Sequence, residues 1–122
     1  MVETQKTDAV EISELTTRCL TLSAESWRMV QISCTGLPSA NEVNYTFDRD
    51  YEFYNLRIIV PPEETIPSIQ SVYPCAFLYE NEIRELFGVK IAGMAVDFNG
   101  SLYKISQPTP FSELAEKPKE LE

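Results

Sequence analysis

Val43-Asn44-Tyr45-Thr46-Phe47-Asp48-Arg49-Asp50-Tyr51-Glu52-Phe53-Tyr54-Asn55-Leu56-Arg57-Ile58-Ile59-Val60 is the stretch that decides the fold of this 122-residue chain. Val43, Tyr45 and Phe47 alternate with polar neighbours, Asp48, Arg49 and Asp50 make a short polar turn, and Tyr54, Leu56, Ile58 and Val60 alternate again. Period-two patterning in β-branched and aromatic residues marks a half-buried strand, so Tyr51–Val60 is predicted to fold back on its predecessor as a hairpin. Pro61 and Pro62 stop it.

Upstream, Trp27 to Cys34 has the same period, with Val30, Ile32 and Cys34 on one side and Trp27, Met29, Gln31 and Ser33 on the other. A turn-rich loop, Gly36 to Asn41, separates this strand from the hairpin. Further upstream, Ile12, Leu15, Cys19 and Leu22 recur at helical spacing and predict a helix over Ser13–Ala24, with Ser13 as N-cap and Asp8 with Glu11 as a competing start. Downstream, a proline-bearing connection from Pro61 to Ile69 leads into a second helix. Its inward side is read as Tyr79, Ile83, Leu86 and Phe87, with Pro74 marking its start and Gly88 its end. Val89 to Ile91 opens a strand, Asp97 to Gly100 a hairpin turn, and Leu102, Tyr103 and Ile105 a last strand. From 106 to 122 prolines and charges leave little to bury, and a mobile tail is expected. The order is helix, three strands, helix, two strands over a single domain, 1–105. This is a two-layer α+β fold with the helices on one face of a mostly antiparallel or mixed sheet.

Charge narrows function. Ten basic against nineteen acidic residues give 10 − 19 = −9, and no histidine is present. Phosphate backbones need clustered Lys and Arg, so nucleic acid is not an expected partner. Without histidine, Ser-His-Asp and Cys-His chemistry cannot be assembled within the chain. Cys19, Cys34 and Cys75 are odd in number and contain no C-x-x-C pair, so neither a disulfide framework nor a cysteine metal site is expected, and all three read as buried small hydrophobes. Four scattered glycines form no phosphate-binding loop. No catalytic, cofactor-binding or metal-ligating residue is assigned. No run of eighteen apolar residues exists and the start, Met1 to Asp8, is polar, from which a cytoplasmic location is expected.

The densest constellation is Tyr79-Glu80-Asn81-Glu82-Ile83-Arg84-Glu85-Leu86-Phe87-Gly88. Helical spacing places Glu82 and Glu85 together on the outer surface and Glu80 four residues before Arg84, an exposed ion pair of ~0.3 kcal/mol. A solvated charged face is the plain reading, and paired carboxylates acting as acid and base the catalytic one. Glu85 opposes the negative end of the helix dipole, a placement that a partner's cation would explain.

These residues, with Ile66-Pro67-Ser68-Ile69 and Tyr73-Pro74-Cys75-Ala76, resemble the thirty-kilodalton subunit family of complex I, the NADH–quinone oxidoreductase. The family pattern is a Pro-Ser loop, a Tyr/Trp-Pro-x-Ala lead-in and a helix reading E-R-E-x-x-D-L-F-G-[VI]. Glu80 and Glu82 match its two acids, Glu85 stands where Asp is usual, Phe87-Gly88 match its end, and Asn81 replaces the common Arg. The His-Pro continuation of respiratory members is replaced by Gly93-Met94-Ala95-Val96-Asp97, which is closer to the short versions in energy-converting [NiFe] hydrogenases. The resemblance implies a protein without a redox cofactor, peripheral on the inner face of a cell membrane, beside the large [NiFe]-type subunit and other peripheral-arm subunits. Partner binding is then expected at Glu80, Glu82, Arg84, Glu85, Phe87 and Gly88. The alternative is a free-standing acidic adaptor or small-ligand-binding domain that shares only the fold.

Overall fold

A computed structural model describes residues 4–95 of the chain. In chain order its elements are β1 (Thr4–Ala9), a 3-10 turn (Ile12–Glu14), α1 (Leu15–Ala24), β2 (Arg28–Leu37), β3 (Ala40–Arg49), β4 (Glu52–Val60), β5 (Thr65–Pro67), α2 (Ala76–Phe87) and β6 (Lys90–Ala92). The main sheet has the order β1-β4-β3-β2; β4, β3 and β2 are antiparallel, and β1 joins β4 in parallel. The fold is α+β on a mixed sheet, as the patterning predicts.

The hairpin forms with Val43 opposite Ile58, Tyr45 opposite Leu56 and Phe47 opposite Tyr54. Its turn is Asp50–Tyr51 rather than Asp48–Asp50, because Asp48 and Arg49 remain paired in β3. Both turn residues have positive φ, 51° and 67°, the handedness that a two-residue connection needs to follow the strand twist. The expected loop at Gly36 to Asn41 shrinks in the same way. Gly36 pairs with Asn41 and Leu37 with Ala40, leaving Pro38 and Ser39 as the turn.

Leu15, Cys19 and Leu22 of α1 and Ala76 and Ile83 of α2 join Ile32, Val43, Tyr45, Phe47, Leu56 and Ile58 in one buried cluster. Both helices therefore cover the same face of the sheet. Each large aliphatic side chain fully buried there contributes about 1.5–3 kcal/mol. The opposite face is polar: Thr46 donates to Asn55 Oδ1 at 2.7 Å, and Arg57 donates to Asn44 Oδ1 at 3.1 Å.

Three expectations change. The first element is β1, not a helix, and its sequence Thr-Gln-Lys-Thr-Asp-Ala has no apolar alternation to reveal it. Strand β2 does not keep one alternation: Val30 has no partner across a register shift between Met29 and Gln31. Met29 therefore lies opposite Phe47 and packs toward the core below this β-bulge, while Ile32 does so above it and Val30 is exposed. The strand predicted at Val89 to Ile91 is β6, but it pairs in parallel with β5, inside the stretch read as a connection, in a second small sheet. The predicted hairpin over Asp97 to Ile105 and the tail 106–122 lie outside the described residues.

Candidate functional site

Helix α2 is set by Pro74 just before its first turn and by Gly88, which ends it with a left-handed φ of 75°. Its inward line is Ala76, Glu80 and Ile83, rotated from the expected Tyr79, Ile83, Leu86 and Phe87, of which only Ile83 is fully buried. The cause is chemical rather than hydropathic. Glu80, 0% exposed, accepts hydrogen bonds on Oε1 from Ser68 Oγ at 2.7 Å and Gln70 Nε2 at 3.1 Å, and on Oε2 from the Ile69 backbone N–H at 2.8 Å. The Gln70 N–H in turn donates to Ser68 Oγ at 3.1 Å. One carboxylate thus organises the loop that follows β5 by accepting from a backbone N–H and two side chains of that loop. Burial raises the Glu80 carboxyl above its ordinary range, and the donors of Ser68, Ile69 and Gln70 pull the other way.

Asn81 and Glu85, one turn apart, are buried as well, and Asn81 Nδ2 donates to the Phe77 carbonyl at 2.7 Å. The expected solvated charged face is therefore corrected for Glu80 and Glu85. Glu82, Arg84 and Phe87 are half-buried, Gly88 is exposed, and Leu78 presents 45% of its surface between them and the helix start. Tyr79 fastens α2 to the sheet by donating its hydroxyl to the carbonyl of Val30, at the bulge, at 3.1 Å. Tyr73, before the start of α2, donates its hydroxyl to the carbonyl of Trp27, just ahead of β2, at 2.7 Å.

Two features were not expected from the sequence. Arg18 of α1 donates to Asp8 at 3.1 Å and to the Tyr54 hydroxyl, which itself donates to Asp8, so a triangle of side chains pins β1 to β4 and α1. The Tyr54 hydrogen bond, helped by Arg18 and Lys6, holds the Asp8 carboxyl below its usual value. Beside the triangle is a recess of about 290 Å³ lined by Lys6, Arg18, Trp27, Arg49 and Tyr54, with Arg49 stacked 4.5 Å from the Trp27 ring centroid. The only sequence signal was an Arg on the polar flank of α1. Deeper in the core, the Tyr45 hydroxyl is buried without a hydrogen-bond partner among the described residues. Of the cysteines, Cys19 is buried and Cys34 half-buried, both thiols pushed up to about 12 by burial, whereas Cys75 is exposed, contrary to expectation. Among the described residues no three His, Cys, Asp or Glu side chains gather where a metal could sit.

Fold and site together define a two-layer α+β domain built around an internal carboxylate clamp, with its polar groups spent on its own loops and edges. The chain belongs to the family described as respiratory-chain NADH dehydrogenase, 30 Kd subunit, whose family model matches residues 8–98. It is 33% identical over 72 residues to an NADH-quinone oxidoreductase subunit from Jannaschia sp. (strain CCS1), a match covering 55% of this chain and 35% of that relative. The match thus spans about a third of that relative's length. Among solved structures it is similar to a chain of the membrane-bound sulfane sulfur reductase, an archaeal respiratory membrane complex, with a TM-score of 0.65. That likeness covers 81% of this chain and 68% of the other at 20% identity, and it carries the fold alone. No helix among the described residues is long and apolar enough to cross a membrane.

Proposed function

We propose that this chain is a non-catalytic peripheral-arm subunit of a membrane-bound, complex I-like oxidoreductase of the energy-converting hydrogenase type. It docks onto the large [NiFe]-type subunit and contacts other peripheral-arm subunits, and it reaches the inner face of the membrane only through that complex. Family membership over residues 8–98 carries this reading. The docking surface is read on α2, where exposed Leu78 stands one turn before half-buried Glu82, with Arg84, Phe87 and Gly88 following toward the helix end. Glu80 and Glu85 shape that surface from beneath, Glu80 by fixing the loop at 68–70. An exposed leucine beside a half-buried acid on the same helix face has the make-up of an interface edge, an apolar contact next to a polar one.

The test is a tagged pull-down from gently solubilised native membranes, with co-purifying chains identified and nickel and iron assayed. A large hydrogenase-like subunit with nickel is expected. Iron without nickel, beside a quinone-reductase-like set, would move the chain to the respiratory branch. Recovery of the tagged chain alone would leave a free-standing adaptor. Leu78→Asp combined with Glu82→Lys is expected to abolish recovery of the large subunit while the purified variant keeps its fold.

A further inference from the structure

The main sheet ends on β1, and among the described residues no strand pairs with its far side. Long unpaired edges are normally blunted by proline, a bulge, a covering element or a charged side chain, lysine above all. Lys6 is the one such device on β1, and only an opposed acid would neutralise it. Strand β1 has no proline, its register against β4 runs unbroken, and Gln5, Lys6, Thr7 and Ala9 are exposed. It is also held still, because Asp8 is locked by Arg18 and Tyr54.

The Val10 N–H donates to the Arg57 carbonyl at 3.0 Å. Backbone groups alternate sides along an extended strand, so Lys6 and Asp8 turn theirs toward β4 while Gln5, Thr7 and Ala9 turn theirs outward. An added antiparallel strand must therefore place its own outward-turned residues opposite those three. For a second copy of β1 this leaves few registers, and charge separates them. Centred on Thr7, each Lys6 faces Asp8 of the other copy. One permitted step either way puts Lys6 opposite Lys6 or Asp8 opposite Asp8, and like charges directly opposite are destabilising. Lys6 is suited to the first register: it lies 5.9 Å from the Tyr54 ring centroid, and it makes no ion pair among the described residues.

We infer that β1 is a self-pairing edge: two copies of the chain join antiparallel about Thr7, fusing their four-stranded sheets into one, with two symmetry-related Lys6–Asp8 pairs across the junction. Helix α2 lies against β2, at the other end of the sheet, so this contact and the proposed docking surface do not compete. The pairing does not depend on the subunit assignment, since it can be read on the purified chain. Its strength is limited by the charge of −9 on each copy.

Sedimentation equilibrium of the full chain, over concentrations rising to the millimolar range, is expected to show a reversible dimer. Lys6→Glu reverses both ion pairs and should raise its dissociation constant about tenfold or more. Lys90→Glu makes the same charge change on β6 and should have a far smaller effect, which separates local pairing from general repulsion. Thr7→Pro removes an outward N–H that β4 does not use and should abolish the dimer while far-UV circular dichroism stays unchanged. In a Cys75→Ser background, Thr7→Cys should form an intermolecular disulfide under mild oxidation, because opposed residues stand about 5.5 Å apart, within disulfide reach. Thr17→Cys, exposed on α1, should not. A chain that stays monomeric throughout, or a dimer that Lys6→Glu and Thr7→Pro leave intact, overturns the inference.

Discussion

Helices α1 and α2 lie on the same face of one sheet and are held there by different physics. Helix α1 buries Leu15, Cys19 and Leu22, an apolar stripe at spacings of four and three. Helix α2 buries Ala76 and Ile83 together with Glu80, Asn81 and Glu85. The first is attached by water leaving its surface. The second is attached largely by satisfying donors of a neighbouring loop, and such a helix specifies a geometry as much as it adds stability.

The sharpest test of that contrast is Glu80→Ala. It removes the acceptor of three hydrogen bonds, leaves the Ile69 N–H buried and unpaired, and is expected to cost about 3–4 kcal/mol in urea unfolding. Leu15→Ala, the matched lesion in α1, is expected to cost about 3 kcal/mol through its cavity. If Glu80→Ala proved nearly neutral while Leu15→Ala did not, the clamp would be ornamental and α2 would be held by the burial of Ile83 and Ala76 and by the Tyr79 hydrogen bond to β2.

The dependence on pH separates the two acids that fasten the elements. For Glu80 the folded state holds its proton more tightly than the unfolded chain does, so its contribution falls as pH rises from the ordinary 4.5 through the raised folded value. For Asp8 the folded value is depressed, so its contribution is full above 3.8 and is lost as pH falls through the folded value. Glu80→Gln should flatten the first slope and Asp8→Asn the second, both read as unfolding midpoints across acidic pH. Tyr54→Phe, which loosens the triangle around Asp8, is expected to cost about 1 kcal/mol. Least of all, Arg28→Ala breaks an ion pair to Asp48 whose arginine is largely exposed, and should leave the unfolding midpoint nearly unchanged.

What the sequence disclosed follows the same division. The central hairpin, α1 and the span of α2 are written in apolar periodicity, and they fold where it points. The inward side of α2 is not, because Glu80 looks like any surface acid until the loop at 68–70 comes within reach. Strand β1 is equally silent: Thr, Gln, Lys and Asp do not alternate in hydropathy, and its place is fixed by Arg18 and Tyr54 from distant elements. The family motif was legible throughout, yet it names residues without saying which way they turn.

The bulge at Val30 acts on β2 as a frameshift acts on a message. Before it the core is spelled by odd-numbered residues such as Met29, and after it by even-numbered ones such as Ile32, while the partner strand β3 keeps a single frame from Val43 to Phe47. A one-residue deletion at Val30 would close the gap and bring Met29, Gln31 and Ile32 into one alternation, because their partners Phe47, Thr46 and Tyr45 already alternate, while taking away the carbonyl that Tyr79 uses. An insertion near the hairpin tips would disturb no frame at all. Length variation among relatives is therefore expected at the Pro38–Ser39 and Asp50–Tyr51 turns, and within β2 only as gain or loss of the single bulge residue between Met29 and Gln31.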